Sequence, residues 1–208
     1  MRDAFAFSAL ALSAIFFVVD PIGVVPIFIS ITAHDDAAKK RAMARRACTI
    51  AWALLTIFAL TGAAIFQLLG VTLAAFKIAG GVLLVVTSFD MVRAQTSRTR
   101  TSPEEEAEGA AKEDVAVFPL ATPLLAGPGS IATVMVLMGR THVFWQVAIV
   151  LACIAVTLAI SYVMLVGAGR IAKVLGTTGL SVLNRVIGLL LAAVAAQFII
   201  DGVREAIG

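Results

Sequence analysis

The residues with the most chemical potential form two short polar interruptions of apolar sequence. The first is Asp20-Pro21-Ile22-Gly23-Val24-Val25-Pro26, and the second is Thr122-Pro123-Leu124-Leu125-Ala126-Gly127-Pro128-Gly129-Ser130. Each holds two prolines five residues apart, and both prolines recur at an offset of 102. Proline lacks an N–H and crowds the preceding turn, so each pair breaks a helix. In hydrocarbon the freed carbonyls find no water, so such breaks survive only inside protein or beside a cavity. Asp20 before Pro21 and Thr122 before Pro123 place a capping residue ahead of a proline suited to the first helical position. Gly127 before Pro128 can open a further helix. Two helix N-termini, one from each break, offer free N–H groups and a partial positive charge, and together would hold an anionic group such as a carboxylate. Gly23, Gly127 and Gly129 let a ligand approach the backbone closely. Thr122 and Ser130 add hydroxyls that orient it. Asp20 serves either as a plain helix cap or as a carboxylate that takes a proton or coordinates a coupling cation.

Further polar residues lie inside apolar runs. Lys77 and Arg185 occur in Phe76-Lys77-Ile78-Ala79-Gly80 and Asn184-Arg185-Val186-Ile187-Gly188, two segments alike at an offset of 108. Such bases either snorkel to the membrane interface, or one of them neutralises Asp20 or faces a substrate carboxylate. Lys77, Asn184 and Arg185 therefore join the residues of the two breaks as candidate binding residues. Asp90 and Asp201 lie near span ends and read as interfacial. Gln197 reads as a hydrogen-bond partner for a neighbouring helix, and Gly188, Ala192 and Ala196 as a small-residue packing stripe.

The elements that must position these residues are membrane helices. Of the 208 residues 61% are hydrophobic and only 14% charged, and the mean hydropathy is +1.02. Six apolar spans of bilayer length run at about 4–32, 47–69, 72–92, 115–138, 143–166 and 180–203. The first is broken at 20–26 and the fourth at 119–128. The expected fold is therefore an all-α membrane protein of one domain, 1–208. It divides into a three-helix repeat 1–92, a linker 93–114 in which Ser102 and Pro103 can start a short helix, and a second three-helix repeat 115–208. An odd number of spans per repeat inverts the second copy, and inverted repeats with broken first helices point to a secondary transporter. The symmetry has a flaw: the positions before Thr122 run back through Glu106, Lys112, Glu113 and Asp114, so the second entry arm is short or partly cytoplasmic. Eleven basic residues fall in the loops 33–46, 93–114 and 167–179, against Arg2, Arg140 and Arg204 on the other side. The positive-inside rule puts those three loops in the cytoplasm and both termini outside. The apolar N-terminal run imitates a signal peptide but continues past any cleavage site, so it reads as a retained span.

The net charge of +3 and pI near 9.2 follow from this loop sorting, not from nucleic-acid binding. Cys48 and Cys153 have no disulfide or metal spacing and read as small buried residues; His34 and His142 lie in loops. There is no His-Glu-x-x-His, no Gly-x-Ser-x-Gly and no P-loop, so neither an enzyme, a metal, a cofactor nor ATP drive is expected. Asp20-Pro21-x-Gly23-x-x-Pro26, Pro119-Leu120-Ala121-x-Pro123-Leu124-Leu125-Ala126-Gly127-Pro128-Gly129-Ser130-Ile131, and Arg185-x-x-Gly188 followed by Gln197-Phe198-x-x-Asp201-Gly202 make the chain resemble the MarC family of bacterial and archaeal inner-membrane proteins. The resemblance covers essentially the whole chain and implies six spans. Through its SnatA-type members it also implies transport of small neutral amino acids such as glycine and alanine, coupled to H⁺ or Na⁺. The partners implied are that substrate, the coupling ion and the bilayer, with homo-oligomerisation left open. A non-transporting accessory or stress-response protein, and an exporter of another small solute, are the alternatives.

Overall fold

A computed structural model describes residues 2–93, 116–141 and 143–207 of the chain. Most of the linker, with Ser102 and Pro103, and His142 lie outside the described residues. Within them all regular structure is helical, in the order α1 (Arg2–Val19), α2 (Pro21–Ile31), α3 (Ala37–Leu69), α4 (Leu73–Val92), α5 (Ala116–Leu125, π-type), α6 (Pro128–Gly139), α7 (Phe144–Val166) and α8 (Ala168–Ile207). Five stretches are long and apolar enough to cross a bilayer: Ala4–Ile31, Ala37–Leu69, Leu73–Val92, Phe144–Val166 and Thr178–Ile207. The pair α5 and α6, bent by 54° at its break, is either a sixth, broken span or a re-entrant loop.

Local chemistry sets where these helices begin and end. Asp36 caps α3 by accepting the Lys39 N–H at 2.7 Å, and Gly70, at φ 65°, ends it in the left-handed turn that glycine adopts without strain. Thr72 then caps α4 by accepting from the Ala75 N–H at 3.1 Å. The 33 residues of α3 extend about 50 Å, well beyond a bilayer core of about 30 Å. Its first turns, with Lys39, Lys40, Arg41, Arg45 and Arg46, therefore have length to project into water. Gly176, at φ 63°, bends α8 ahead of its spanning part.

The main packing contacts join helices from the two ends of the chain. α3 lies against α7 and α4 against α8, the latter the most extensive contact of the molecule. α1 and α2 pack on α7, as α5 and α6 pack on α3; α2 meets α8, as α6 meets α4. Two cores result. One gathers residues such as Ile15, Phe28, Leu55, Leu120, Leu125, Ile154 and Leu165. The other gathers Val18, Leu84, Val136, Leu191 and Phe198 around the α4–α8 contact.

Glycines set the distance between α4 and α8, and they do so reciprocally. A Cβ on Gly81 would lie 2.9 Å from the Ala195 carbonyl and 3.2 Å from the Ile199 nitrogen. A Cβ on Gly188 would lie 3.1 Å from both the Ser88 carbonyl and the Val92 nitrogen. Each position on α8 is 107 residues beyond its counterpart on α4. The same interval separates Pro21 from Pro128 and Ala37 from Phe144, the first residues of two further helix pairs. The helix starts thus correspond at 107, not at the 102 read from the two proline pairs. The counterpart of Asp20 is accordingly Gly127, not Thr122.

Candidate functional site

The first break is a single residue long. α1 ends at Val19, Asp20 takes φ 51° and ψ 67°, and Pro21 begins α2. Aspartate is among the few side chains that enter the left-handed region with modest strain. Here the Asp20 N–H donates to the Phe16 carbonyl at 2.9 Å, and its carboxylate accepts the Gly23 N–H at 3.0 Å. The residue is only 2% exposed, so a carboxylate sits inside the protein on the N-terminus of α2, where the helix dipole favours it. Pro26 does not extend the break. It is an interior residue of α2 and faces outward.

Gly23 holds this corner open. A Cβ there would collide with the Asp20 carboxylate and sit 3.0 Å from the Oδ1 of Asn184 on α8. That Oδ1 is buried and accepts no hydrogen bond. Two acceptor oxygens from distant parts of the chain therefore converge beside Gly23.

The second break is longer. Within α5 the backbone is extended at Phe118 and Thr122, and the peptides before Pro119 and Pro123 are cis. The Thr122 hydroxyl donates to the Val117 carbonyl at 3.3 Å, so it is turned back on its own segment. Gly127 then caps α6 without any side-chain hydrogen bond. It must be glycine because a Cβ would press on the Pro123 carbonyl. Gly129 faces α1 and α4, where a Cβ would meet Leu84 at 2.8 Å and Val18 at 3.4 Å. Ser130 is buried in the first turn of α6, whereas Pro128 is exposed. A cleft of about 20 Å³ lies here, lined by Val18, Leu84, Thr87, Gly127, Gly129 and Ser130 among others. Val18 reaches it from two residues before Asp20, which brings the two breaks to neighbouring positions.

The two helix starts differ in a way that spacing did not disclose. The N-terminus of α2 already carries its own carboxylate, so it is not free to take a second anion. The N-terminus of α6 has no side-chain cap and faces the cleft.

Lys77 and Arg185 read from the sequence either as interfacial bases or as partners of the breaks; the structure pairs the first with an acid on α8 and leaves the second at the surface. Lys77 is buried but pairs with Glu205 near the end of α8, far along the chain from either break. Arg185 is exposed on α8. Asp201 pairs with Arg140 at the end of α6 and accepts from Gln197 at 2.6 Å. Lys77, Glu205, Arg140 and Asp201 thus make an ionic cluster joining α4, α6 and α8 at the end of the bundle opposite the basic first turns of α3. Cys48 and Cys153 are buried free thiols. Sequence reasoning missed Val18, Leu84 and Glu205. The first two are apolar among many apolar residues, and the last is an acid near the terminus with nothing in its spacing to link it to Lys77.

Comparison with known proteins places the chain among integral membrane proteins. The family pattern described as MarC family integral membrane protein matches residues 5–207. UPF0056 membrane protein MJ1677 of Methanocaldococcus jannaschii is 40% identical over 198 residues, 95% of this chain and 96% of its own length. UPF0056 membrane protein YvbG of Bacillus subtilis is 33% identical, covering 96% of this chain and 95% of its own length. UPF0056 membrane protein YhcE of Escherichia coli is also 33% identical, covering 91% and 88%. No solved structure matches. With a family match over nearly its whole length and relatives of the same extent in bacteria and archaea, the chain belongs to the MarC family of integral membrane proteins.

Proposed function

We propose that the protein is a secondary transporter, not an enzyme, that moves small neutral amino acids such as glycine and alanine across the inner membrane by alternating access. It is coupled to H⁺ or Na⁺. The observation that carries this reading is the juxtaposition, through Val18, of an uncapped helix N-terminus at Gly127–Ser130 and a buried carboxylate at Asp20. An amino acid is a zwitterion. Its carboxylate suits the N–H groups of the first turn of α6, and its ammonium suits the oxygens of Asp20 and Asn184. Space limits the substrate. The cleft is about 20 Å³, near the volume of a single water, and protein atoms pack against Gly23, Gly127 and Gly129. Only a small molecule could enter, and only as the two halves move apart. The residues 1–92 and 115–208 serve as inverted halves. The reciprocal seating of Gly81 and Gly188 and the paired contacts of α3 with α7 and α4 with α8 support this division, and gating is rocking of one half against the other. The basic first turns of α3 face the cytoplasm and the termini lie outside.

Transport in proteoliposomes tests the proposal. Purified protein should accumulate labelled glycine and alanine when an inward proton or sodium gradient is imposed. Unlabelled serine should compete better than leucine. Flux that responds to neither gradient, in vesicles of either protein orientation, would overturn the reading.

A further inference from the structure

At the end of the bundle where the basic residues gather, the last turns of α2 and α7 and the first turns of α3 and α8 enclose a cavity of about 260 Å³. Its apolar walls include Phe28 and Ile29 from α2 and Leu165 and Val166 from α7, and its rim carries Lys40 and Arg41 from α3. A cavity of roughly 150 Å³ suffices to hold benzene, so there is room for more than a bare ion. The acids closest in sequence are already engaged. The Asp35 carboxylate pairs with Lys39 at 2.7 Å, and that of Asp36 caps α3. Lys40 and Arg41 form an ion pair with none of the described residues.

The lining discriminates between ligands. A dissolved inorganic anion would be served by the two bases but would face apolar walls with nothing to offer them. A neutral acyl chain would fill the walls and leave the bases unused. A molecule with a phosphate at one end and hydrocarbon at the other satisfies both. The position is compatible as well, because α3 is longer than a bilayer core is thick and its first turns, which carry Lys40 and Arg41, can reach the level of the lipid phosphates. We propose that this cavity binds an anionic phospholipid, with the phosphodiester between Lys40 and Arg41 and the first part of an acyl chain against Phe28, Ile29, Leu165 and Val166. The site is separate from the two helix breaks, and its occupancy does not depend on what the protein transports.

Binding is measured on delipidated protein in neutral detergent, without substrate or gradient, by native mass spectrometry and thermal shift. The probes are short-chain phosphatidylglycerol, short-chain phosphatidylcholine and inorganic phosphate. Phosphatidylglycerol should bind at least about tenfold more tightly than phosphatidylcholine, in keeping with two bases acting near the membrane surface. The double variant Lys40→Gln/Arg41→Gln should lose that preference, while Lys40→Arg/Arg41→Lys keeps it. Ile29→Trp, which fills the cavity and leaves both charges, should also displace the lipid, so the proposal stays testable if the neutral variant does not fold. Equal binding of the two lipids, retention of the preference in both Lys40→Gln/Arg41→Gln and Ile29→Trp, or phosphate alone competing as well as the lipid would overturn it. The last result would identify a soluble-anion site.

Discussion

Asp20 occupies a left-handed backbone conformation that asparagine tolerates as readily as aspartate, and asparagine caps helices equally well. Asp20→Asn therefore removes the charge while keeping the carbonyl oxygen that accepts the Gly23 N–H. Its unfolding free energy in detergent should stay within about 1 kcal/mol of the native protein, while gradient-driven glycine uptake is lost. Uptake at the native rate would reduce Asp20 to a cap. Asn184 allows a complementary test. Its Oδ1 is buried without a partner, so Asn184→Leu removes an unsatisfied acceptor and should leave stability unchanged or raise it by about 1 kcal/mol. If that oxygen receives the substrate ammonium, KM for glycine should rise about tenfold, equivalent to about 1.4 kcal/mol. A large loss of stability with KM unchanged would make Asn184 structural. The polar and glycine residues at the two helix starts, Asp20, Gly23, Gly127, Gly129 and Ser130, stand out in the sequence because each lies against an apolar background. Asn184 entered only beside Arg185, yet it is Asn184 that meets Gly23 and Arg185 that lies exposed. A helix turns adjacent residues about 100° apart, so the base drew attention to the right turn and the wrong face.

At the level of elements, the spans themselves could be read from composition, since only helices keep every backbone group bonded in lipid. The correspondence between the two ends of the chain could not. Proline pairs five residues apart offer more than one registration, and nothing in the residues says which proline of a pair opens a regular helix. Pro21 does so after Asp20; in the second segment Pro123 lies inside the irregular α5, and Pro128 opens α6. The correspondence at 107 makes a specific claim about Gly81 and Gly188. Alanine at either position should cost a similar amount, about 1–3 kcal/mol, because both Cβ atoms would press on backbone atoms of the facing helix. Gly169→Ala is the control. Nothing lies within 4 Å of its Cβ position, so alanine there should be neutral or stabilising by up to about 1 kcal/mol. Thermal unfolding of the three variants in one detergent decides the matter. A large effect at only one of Gly81 and Gly188 would contradict the reciprocal seating.

For the whole molecule the pattern of contacts has a consequence for how it folds. α3 packs on α7 and α4 on α8, and the helices of the first break rest on α7 and α8. The helices of the second break rest in turn on α3 and α4. Each end of the chain thus provides the surface on which the other end is buried, and the Lys77–Glu205 pair adds an ionic tie between them. Membrane helices gain little from hiding apolar side chains from lipid, so packing and polar contacts such as these carry the association. Segments 1–92 and 115–208 expressed separately should each insert but remain unpacked, prone to aggregation in mild detergent and rapidly cleaved by protease. Expressed together as two chains they should co-purify at equal stoichiometry and recover the protease resistance of the intact protein. Gly81→Ala or Gly188→Ala should weaken that recovery before it weakens the intact chain, because a covalent linker no longer compensates for a loosened α4–α8 seam. A stable, protease-resistant 1–92 fragment on its own would show instead that each half folds as an independent domain, and that the cross-contacts form afterwards.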